Sequence, residues 1–487
     1  SNNWGFVKKI TAPVRSFEDN FGWSVSISGN DVIVGAPNEE EDTNEANTIE
    51  KAGSAYIFSK DQGSSNNWGL VQKVIKVGIV AQTQYGYSVS IDGDYAVVGA
   101  LTEVRDEAGG NPIYNAGAAY ILFYDGANWQ EIKRITAPER ATEDNFGWSV
   151  SISGNYVVVG ANQESEDDNE ANYVKYAGSA YIFSKDQGGT DNWGLVKKIT
   201  APVRAMNDLF GYSVSISGNY VVVGAYQEDE DANEANALRD AGSAYIFSKD
   251  QGGTDNWGLV KKITAPVRAM NDLFGYSVSI SGNNVVVGAY LEDEDANELN
   301  TVNNAGSVYI FSKDQGGSSN WGFVKKITAP VRTIDDIFGT LVSISDNYVV
   351  VGNKRNSMDT DEADYIDDAG SAYIFSKDQG GTDNWGLEKK ITAPVRAKSD
   401  HFGCSVSISG NRAVIGANRD DEDANELIYR KDAGSVYFFQ PLIPSEITIA
   451  DADGTNITNG DAASTAQSTD FGNVIVGQTS QSIFSIT

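Results

Sequence analysis

The chain has 487 residues, 40% of them hydrophobic and 10% aromatic, which is enough apolar material for a large folded core. Its 36 lysine and arginine residues are outnumbered by 67 aspartate and glutamate residues, so the formal net charge is −31. A surface of that charge repels nucleic-acid phosphates and anionic lipid headgroups. No segment approaches the ~18 consecutive apolar residues of a membrane-spanning helix. We therefore expect no nucleic-acid partner and no insertion into a membrane.

Internal repeats dominate the sequence. An aromatic-Gly pair recurs every 64 residues, except for one interval of 61, and residues 177–219 and 241–283 are identical, which indicates a recent duplication. The aromatic residues of the seven pairs are Phe21, Tyr85, Phe146, Phe210, Phe274, Phe338 and Phe402. The whole fold should therefore be a ring or stack of seven similar units.

Each unit predicts four β-strands, as the fourth unit shows. After Phe210-Gly, the run Ser-Val-Ser-Ile-Ser alternates with period two, and Gly218-Asn219 then suits a two-residue hairpin turn. Tyr220-Val-Val-Val is an apolar run typical of a strand that is covered on both faces. Ala-Tyr-Ile-Phe and Leu-Val-Lys-Lys-Ile supply the third and fourth strands. Four short strands per repeat predict a blade of a β-propeller.

The two ends of the repeat region complement each other. The chain begins with Trp4–Pro13, which reads as a fourth strand without its blade, whereas the last repeat ends at Phe439 after three strands. We predict that the N-terminal strand completes the last blade and closes a seven-bladed ring, which would remove exposed sheet edges. The predicted domains are residues 1–440, the propeller, and residues 441–487, a linker with an incomplete β-domain.

These motifs resemble a known repeat. Phe-Gly-x-Ser-Val, then Val34–Pro37 (Val-Gly-Ala-Pro), then Ala-Gly-Ser-Ala-Tyr resemble the FG-GAP repeat of integrin α-chain propellers and bacterial surface proteins. The resemblance implies an extracellular or cell-surface protein whose ligands bind on the face that carries the loops after strands two and four. The integrin calcium loop lies between strands one and two, where this chain has only short turns such as Gly-Asn, so that site is not carried over.

The carboxylates gather instead between strands two and three, in a loop of constant length. An aspartate always stands seven places after the Gly of Val-Gly-Ala, and in most repeats Asn and Glu follow two and three places later. Alternating oxygen ligands of this kind resemble the opening of a calcium loop, although the sharp-turn glycine of such loops is missing. The candidate Ca²⁺ ligands are Asp42, Asn44, Glu45, Asp167, Asn169, Glu170, Asp229, Asp231, Asn233, Glu234, Asp293, Asp295, Asn297, Glu298, Asp359, Asp361, Glu362, Asp421, Asp423, Asn425 and Glu426.

An equally good interpretation needs no metal. Aspartate at such a position also caps a turn by accepting backbone N–H bonds, while its neighbours face water. The seven tryptophans that open the fourth strands suggest packing between blades, with a sugar-stacking platform as the alternative. The Lys-Lys pair in each fourth strand, such as Lys197-Lys198, suggests a charged edge that discourages strand addition.

Catalytic groups are sparse. His401 is the single histidine, and Cys404, the single cysteine, stands where other repeats hold Trp or Tyr, so we interpret it as a packing residue. No Ser-His-Asp or Cys-His set and no phosphate loop occurs. We predict a non-enzymatic ligand-binding or adhesion module that binds a protein or glycan through its acidic loops. The alternative is a structural subunit of an extracellular filament, stalk or coat.

The repeat stops at residue 440. Glu446–Ala450, Asp470–Gly477 and Ser482–Ile486 predict three more strands, and Asp-Phe-Gly-Asn-Val-Ile-Val-Gly resembles the start of Ig-like domains of the choice-of-anchor D type, related to ASPM/SPD-2/Hydin domains. Such a sandwich needs about 100 residues. We therefore expect the chain to be part of a longer polypeptide, or its tail to be completed by self-assembly with strands of another molecule.

Overall fold

The computed structural model describes residues 4–42, 48–76 and 81–442, together with three two-residue strands beyond them. The chain divides into two compact units, Ser1–Gln440 and Pro441–Thr487. No helix among the described residues is long and apolar enough to cross a membrane.

The first unit consists of seven antiparallel sheets of four strands, which confirms the seven-bladed β-propeller. The first strands of blades one to seven are β2 (Ser24–Ser28), β6 (Ser88–Asp92), β10 (Ser149–Ser153), β14 (Ser213–Ser217), β18 (Ser277–Ser281), β22 (Leu341–Ser345) and β26 (Ser405–Ser409). The second strands are β3 (Asp31–Ala36), β7 (Tyr95–Ala100), β11 (Tyr156–Ala161), β15 (Tyr220–Ala225), β19 (Asn284–Ala289), β23 (Tyr348–Asn353) and β27 (Arg412–Ala417).

The outer half of each blade follows the same order. The third strands are β4 (Ser54–Ser59), β8 (Ala118–Tyr124), β12 (Ser179–Ser184), β16 (Ser243–Ser248), β20 (Ser307–Ser312), β24 (Ser371–Ser376) and β28 (Ser435–Pro441). The fourth strands are β5 (Gly69–Val74), β9 (Trp129–Ile135), β13 (Gly194–Ile199), β17 (Gly258–Ile263), β21 (Gly322–Ile327), β25 (Gly386–Ile391) and, for blade seven, β1 (Trp4–Ile10).

The N-terminal strand closes the ring, as the sequence predicts. Blade seven has the strand order β1-β28-β27-β26, so β1 forms its outer edge. Blade seven also contacts blade one, because the N–H groups of Ile27 and Gly29 donate to the hydroxyls of Ser407 and Ser409, each at 3.1 Å.

Serine hydroxyls join the innermost strands all around the ring. The N–H of Val278 donates to Ser213 Oγ at 3.0 Å, and Ile280 donates to Ser215 Oγ at 3.1 Å in the same way. The valine and isoleucine that alternate with the serines are buried between blades. The Ser-Val-Ser-Ile-Ser pattern thus satisfies two needs at once: apolar packing, and partners for backbone donors that no strand reaches.

The motif glycines lie where two blades touch. A Cβ on Gly35, in the Val-Gly-Ala of blade one, would come within 1.9 Å of the carbonyl oxygen of Gly86 in blade two. Gly86 itself has a φ of +92°. Only glycine fits such a close approach of two backbones, and only glycine adopts the second conformation freely.

The periodic tryptophans pack between blades, so that interpretation is confirmed. All seven are buried, and Trp257 of blade four lies edge-on against Tyr156 of blade three with 5.2 Å between ring centroids. Trp68 of blade one stacks on Phe438 of blade seven at 4.2 Å. Because these rings are covered, they are not a sugar-stacking surface.

The second unit has one described sheet, with strand order β30-β29-β31. Its strands are β29 (Ile449–Ala450), β30 (Asn456–Ile457) and β31 (Ser485–Ile486). The predicted strands at 446–450 and 482–486 therefore each contain a described strand. The predicted strand at 470–477 lies outside the described residues.

Candidate functional site

Two sets of loops share one face of the propeller, which we call the loop face. Because the strands of a blade alternate in direction, the end of the second strand lies beside the end of the fourth. The loop face therefore carries the loops after the second strands, called the acidic loops, and the loops after the fourth strands. The opposite face carries the short turns after the first strands and the loops after the third.

In six of the seven blades, an arginine from the loop after the fourth strand holds the acidic loop in place. Arg204 donates from Nη2 to the carbonyl oxygen of Ser165 and from Nη1 to that of Asn172, each at 2.8 Å. The equivalent residues Arg15, Arg140, Arg268, Arg332 and Arg396 bond the acidic loops of their own blades in the same way. The acidic loop is thus a fixed structure, as its constant length predicts.

In blades two to seven, the invariant aspartate of the acidic loop acts as a turn cap. Asp231 accepts the N–H groups of Asn233 at 2.8 Å and Ala235 at 3.2 Å, and the side-chain amide of Asn236 at 2.5 Å. Equivalent bonds reach Asp106, Asp167, Asp295, Asp359 and Asp423. In blade three, the N–H of Ala171 and the amide of Asn172 lower the pKa of Asp167 to about 2.

The other predicted ligands are divided among different partners. Asp229, Asp293 and Asp421 accept an N–H from the far end of the loop at 2.6–2.7 Å. The residues two places after the capping aspartate, namely Asn169, Asn233, Asn297, Asp361 and Asn425, donate their backbone N–H to that aspartate. The backbone oxygen of Asp42 accepts Lys73 Nζ at 3.2 Å, whereas Asn44 and Glu45 lie outside the described residues.

The glutamates of the pattern point to a buried lysine instead. Glu234 Oε2 lies 2.8 Å from Lys262 Nζ, and the same ammonium lies 2.9 Å from Glu228, which is 1% exposed. Tyr245 donates its hydroxyl to Glu228. The remaining predicted glutamates, Glu170, Glu298, Glu362 and Glu426, pair with Lys198, Lys326, Lys390 and Lys9 at 2.6–2.9 Å.

Sequence reasoning missed this buried triad of acid, tyrosine and lysine. The acid stands four places after the Gly of Val-Gly-Ala and the tyrosine seventeen places after the acid, a spacing visible in the repeats. The acids are Glu39, Glu103, Glu164, Glu228, Glu292 and Asp420, with Asn356 in blade six. The second lysine of each Lys-Lys pair is buried here, so its interpretation as an exposed charged edge was wrong, and its role is to neutralise a buried carboxylate.

Burial and neighbouring carboxylates perturb these acids. Burial, reinforced by hydrogen bonding to Glu41, raises the pKa of Glu39 to about 9. Burial likewise raises the pKa of Asp208, an aspartate that accepts the N–H of Ala205, to about 7. Burial favours the neutral carboxyl, so Glu39 and Asp208 take up protons at or above neutral pH.

Four groups of carboxylates have ligand atoms close enough to share an ion. In the described residues the members lie within 4.8 Å of one another: Asp19, Glu39 and Glu41; Asp144, Glu164 and Glu166; Glu228, Glu230 and Glu234; and Glu292, Glu294 and Glu298. None includes the capping aspartate of the predicted calcium pattern, and each lies beside a buried lysine ammonium. The geometry supports the capped turn as the role of that aspartate, and calcium binding stays a prediction.

Aromatic side chains surround the mouth of the central channel on the loop face. Trp23, Tyr87, Trp148, Tyr212 and Tyr276 follow the Gly of Phe-Gly in blades one to five, with 4.8–5.5 Å between successive ring centroids. Blades six and seven have Thr340 and Cys404 at this position. These side chains line a cavity of about 540 Å³ together with Lys354, His401, Asn418 and Arg419.

Two side chains at the channel mouth could act as a nucleophile or a base, Cys404 and His401, and the pKa of each favours its neutral form. Burial raises the pKa of the Cys404 thiol, which contacts the carbonyl oxygen of Gly22 at 3.6 Å and the N–H of Asn418 at 3.3 Å. Burial, with Arg419, Lys354 and Arg355 nearby, lowers the pKa of His401 to about 4, so the ring is neutral at pH 7.

Large apolar side chains are exposed on the loop face as well. Trp23, at the channel mouth, stands in a loop after a fourth strand. Apart from Phe6, Ile132, Phe323 and Leu442, the other large apolar side chains that the described residues expose also lie in loops after a second or fourth strand. They are Val14, Phe17, Tyr114, Tyr173, Val203, Met206, Val267, Met270, Leu299, Val331, Ile334, Tyr365, Val395, Leu427, Ile428 and Tyr429. Within the first unit, the described loops of the opposite face expose no large apolar side chain.

Comparisons with known proteins agree with this architecture. A family model described as the FG-GAP repeat matches residues 4–58, 68–123, 129–183, 193–247, 257–311, 321–375 and 385–439. Among solved structures, the chain is similar to the WD40 domain of Neurospora crassa Pan2, at 8% sequence identity over 91% of this chain and 97% of that one, with a TM-score of 0.46. That likeness is too weak to carry an argument. A search of curated proteins found no match.

Proposed function

The chain belongs to the FG-GAP repeat family, and on that premise we propose that it is a non-catalytic, extracellular adhesion module that binds a protein or glycan ligand with its loop face. The observation that carries the proposal is the one-sided distribution of exposed apolar side chains. Leu299 is 80% exposed and Leu427 82% exposed, both in acidic loops. Apolar groups set among polar ones on one face are typical of an interaction surface.

Charge adds a preference to that surface. The acidic loops surround these apolar side chains with carboxylates, and the chain as a whole carries a net charge of −31. Complementary charge steers association and disfavours like-charged partners. A basic protein surface, or one that presents bound divalent cations, is the partner that fits best.

Binding to an array of extracellular-matrix proteins and glycans tests this proposal. The loop-face variant Met206→Ser/Met270→Ser/Leu299→Ser should lose the ligands that the unmodified chain binds. The control Ile132→Ser removes an exposed apolar side chain from a fourth strand and should keep them. Equal binding by both variants would show that the loop face is not the ligand surface.

Imaging separates adhesion from the structural alternative. Isolated propellers in electron micrographs of the native material are expected for an adhesion module. Regular end-to-end contacts between propellers would instead favour a subunit of a filament, stalk or coat, with the apolar loop face as the contact between copies.

The proposal includes a calcium site, and blade one is the blade that supports it best. In blade one, Asp19 is 1% exposed and its Oδ1 has no hydrogen-bond partner among the residues that the structure describes, while Glu39 and Glu41 lie beside it. Carboxylate oxygens of this kind suit Ca²⁺. A ligand at 100 times its dissociation constant stabilises the folded state by about 2.7 kcal/mol. An unchanged melting temperature after chelation would refute the calcium site.

For the C-terminal unit we propose an Ig-like domain of the choice-of-anchor D type. The string Asp470–Gly477 supports it, as does the sheet that joins β29 and β31 across the sequence. A structure of the native polypeptide would test it. A sandwich of two sheets is expected, and a lone three-stranded sheet would contradict the assignment.

A further inference from the structure

The mouth of the central channel is unlike the rest of this acidic molecule. Blades one to five line it with aromatic rings, but the adjacent blades six and seven contribute the smaller Thr340 and Cys404. The ring of aromatic side chains is therefore interrupted over two neighbouring blades. The interruption leaves a notch at one side of a cavity of about 540 Å³, within the usual range for small-molecule sites.

Cationic side chains are concentrated at that notch. Lys354 stands two residues after the Gly of blade six, where the other blades have Pro37, Leu101, Asn162, Tyr226, Tyr290 and Asn418. Arg355 follows Lys354 directly, and Arg419 has the same position in blade seven that Arg355 has in blade six. Lys354 and Arg419 line the cavity itself. In a chain with almost twice as many acidic as basic residues, three cations at one opening are a local reversal of charge.

These cations lack the partners that lysines elsewhere have. The buried lysines of the blades each lie within 4 Å of a carboxylate, as Lys262 does. Among the described residues, no carboxylate forms an ion pair with Lys354, Arg355 or Arg419. The carboxylates of Asp368 and Asp432 act on this region through space, Asp368 on Arg355 and Arg419 and Asp432 on His401. A partly buried ammonium without a counter-ion is electrostatically incomplete.

A buried amide oxygen at the same place also lacks a hydrogen-bond partner among the described residues. Asn418 lines the cavity and is 5% exposed, and its Oδ1 has no hydrogen-bond partner. Its neighbours in the cavity wall are Arg419 and the neutral His401. Buried polar atoms are nearly always paired, so an unpaired amide oxygen in a residue of the cavity wall indicates a hydrogen-bond donor, such as water, beside it.

The part of the wall that blades four and five form is aromatic and continuous. Tyr212 and Tyr276 lie 4.8 Å apart by ring centroids, and Tyr226 and Tyr290 extend this wall outward, at 4.5 Å from Tyr212 and 4.3 Å from Tyr276. Flat rings bind such a surface by stacking, and an apolar wall facing a few convergent polar groups is the usual design of a ligand pocket.

We propose that the channel mouth binds a small organic anion in which a ring carries a carboxylate. The carboxylate pairs with Lys354 and Arg419 in the notch, and the ring lies against Trp148, Tyr212 and Tyr276. This site is separate from the surface that we propose for a macromolecular ligand, since it lies within the channel and attracts the opposite charge.

Calorimetric titration tests the site with two acids, benzoate and glucuronate, and with their uncharged counterparts, benzamide and glucose. Comparing benzoate with glucuronate shows whether an aromatic ring or a sugar ring is the group that stacks on the aromatic side chains. We expect at least one acid to bind ten times more tightly than its uncharged counterpart. Equal or undetectable binding of acid and uncharged compound in both pairs would overturn the proposal.

Two variants locate the binding. Lys354→Gln should weaken the acid at least tenfold, whereas Lys377→Gln removes the same charge from the opposite face of blade six, where Lys377 pairs with Asp383 at 3.1 Å, and should not. Thr340→Tyr restores an aromatic side chain in the notch and should also abolish binding. Equal binding by the Lys354 and Lys377 variants, both with unchanged melting temperatures, would place the acid elsewhere and refute the assignment.

Discussion

Blades four and two both bury a glutamate beneath the loop face, but they neutralise it from different parts of the chain. In blade four, Lys262 on β17 lies 2.9 Å from Glu228. In blade two, Glu103 pairs with Lys76, which follows β5 of blade one, and with Arg105 at 3.2 Å. In both blades a tyrosine hydroxyl donates to the glutamate, from Tyr245 and Tyr120.

The surrounding substitutions in blade two form a matching set. Thr83 replaces the buried aspartate that is Asp208 in blade four, and Gly109 replaces the glutamate that is Glu234. Gly109 keeps the left-handed conformation of that glutamate, with a φ of 85° against 56°. Carboxylates have been lost where cations were gained, so a blade that buries this acid neutralises it, and the acidic string itself is not required. A divalent cation at every blade is therefore not a structural need.

The largest effect should come from Lys262→Met. Hydrogen bonding to Glu230, Tyr245 and Lys262 outweighs burial and holds the pKa of Glu228 below its ordinary value, so that carboxyl is charged. Removing the ammonium leaves a buried charge without its partner, which costs about 3–5 kcal/mol of unfolding free energy at pH 7. Urea denaturation measures it.

The control for that variant is the neighbouring lysine. Lys261 donates to the carbonyl oxygen of Asn320 at 2.5 Å and has no carboxylate partner among the described residues, so Lys261→Met should cost less than about 1 kcal/mol. The loss in Lys262→Met should also shrink at pH 5, because the unpaired Glu228 can take up a proton. If Lys262→Met lowers the unfolding free energy equally at pH 7 and pH 5, the packing of the lysine side chain, and not its charge, accounts for the loss.

In blade two, Lys76→Met should have a smaller effect, about 1–3 kcal/mol. Glu103 loses its main counter-ion but keeps Arg105 and the hydroxyl of Tyr120. The same denaturation experiment compares it directly with Lys262→Met. If the two substitutions cost the same, the arginine does not compensate, and the proposed equivalence of the two blades is wrong.

Much of this architecture was predictable because seven copies repeat each signal. Alternation, hairpin turns and the displaced N-terminal strand predicted the blades and the closure of the ring. Lys262 was interpreted as an edge charge because strand periodicity does not show that carboxylates of its own blade's acidic loop contact its ammonium. The notch at Thr340 and Lys354 was missed for the opposite reason, since attention to the shared pattern hides positions where single blades depart from it.

Stability should rise as the pH falls from 8 to 6. Burial raises the pKa of Asp208, Asp272 and Asp400 to about 7. A carboxyl whose pKa is higher in the folded than in the unfolded state binds protons on folding, so each group adds about 1 kcal/mol over that interval. Thermal unfolding across the range measures the slope.

Substitutions show which carboxyl groups produce this dependence of stability on pH. Asp208→Asn keeps an oxygen to accept the N–H of Ala205 and should stabilise the protein more at pH 8 than at pH 5. Asp250→Asn removes the same charge from the opposite face, where Asp250 accepts the N–H of Asp255 at 3.1 Å. A slope that both substitutions reduce equally would come from net charge alone, and not from the buried carboxyl.

The smallest effect should come from the capping aspartate, and it separates a cap from a calcium ligand. Asp231→Ala removes the acceptor of two backbone N–H groups and should lower the melting temperature less than either lysine variant does. Asp231→Asn keeps an acceptor oxygen and should lower the melting temperature less still. If Asp231 were a calcium ligand, both substitutions would remove its charge and both would weaken calcium binding. Hydrogen exchange at Asn233 and Ala235 should quicken only in Asp231→Ala. Equal effects of the two substitutions, removed by a chelator, would show that the loop binds calcium and that the turn cap is secondary.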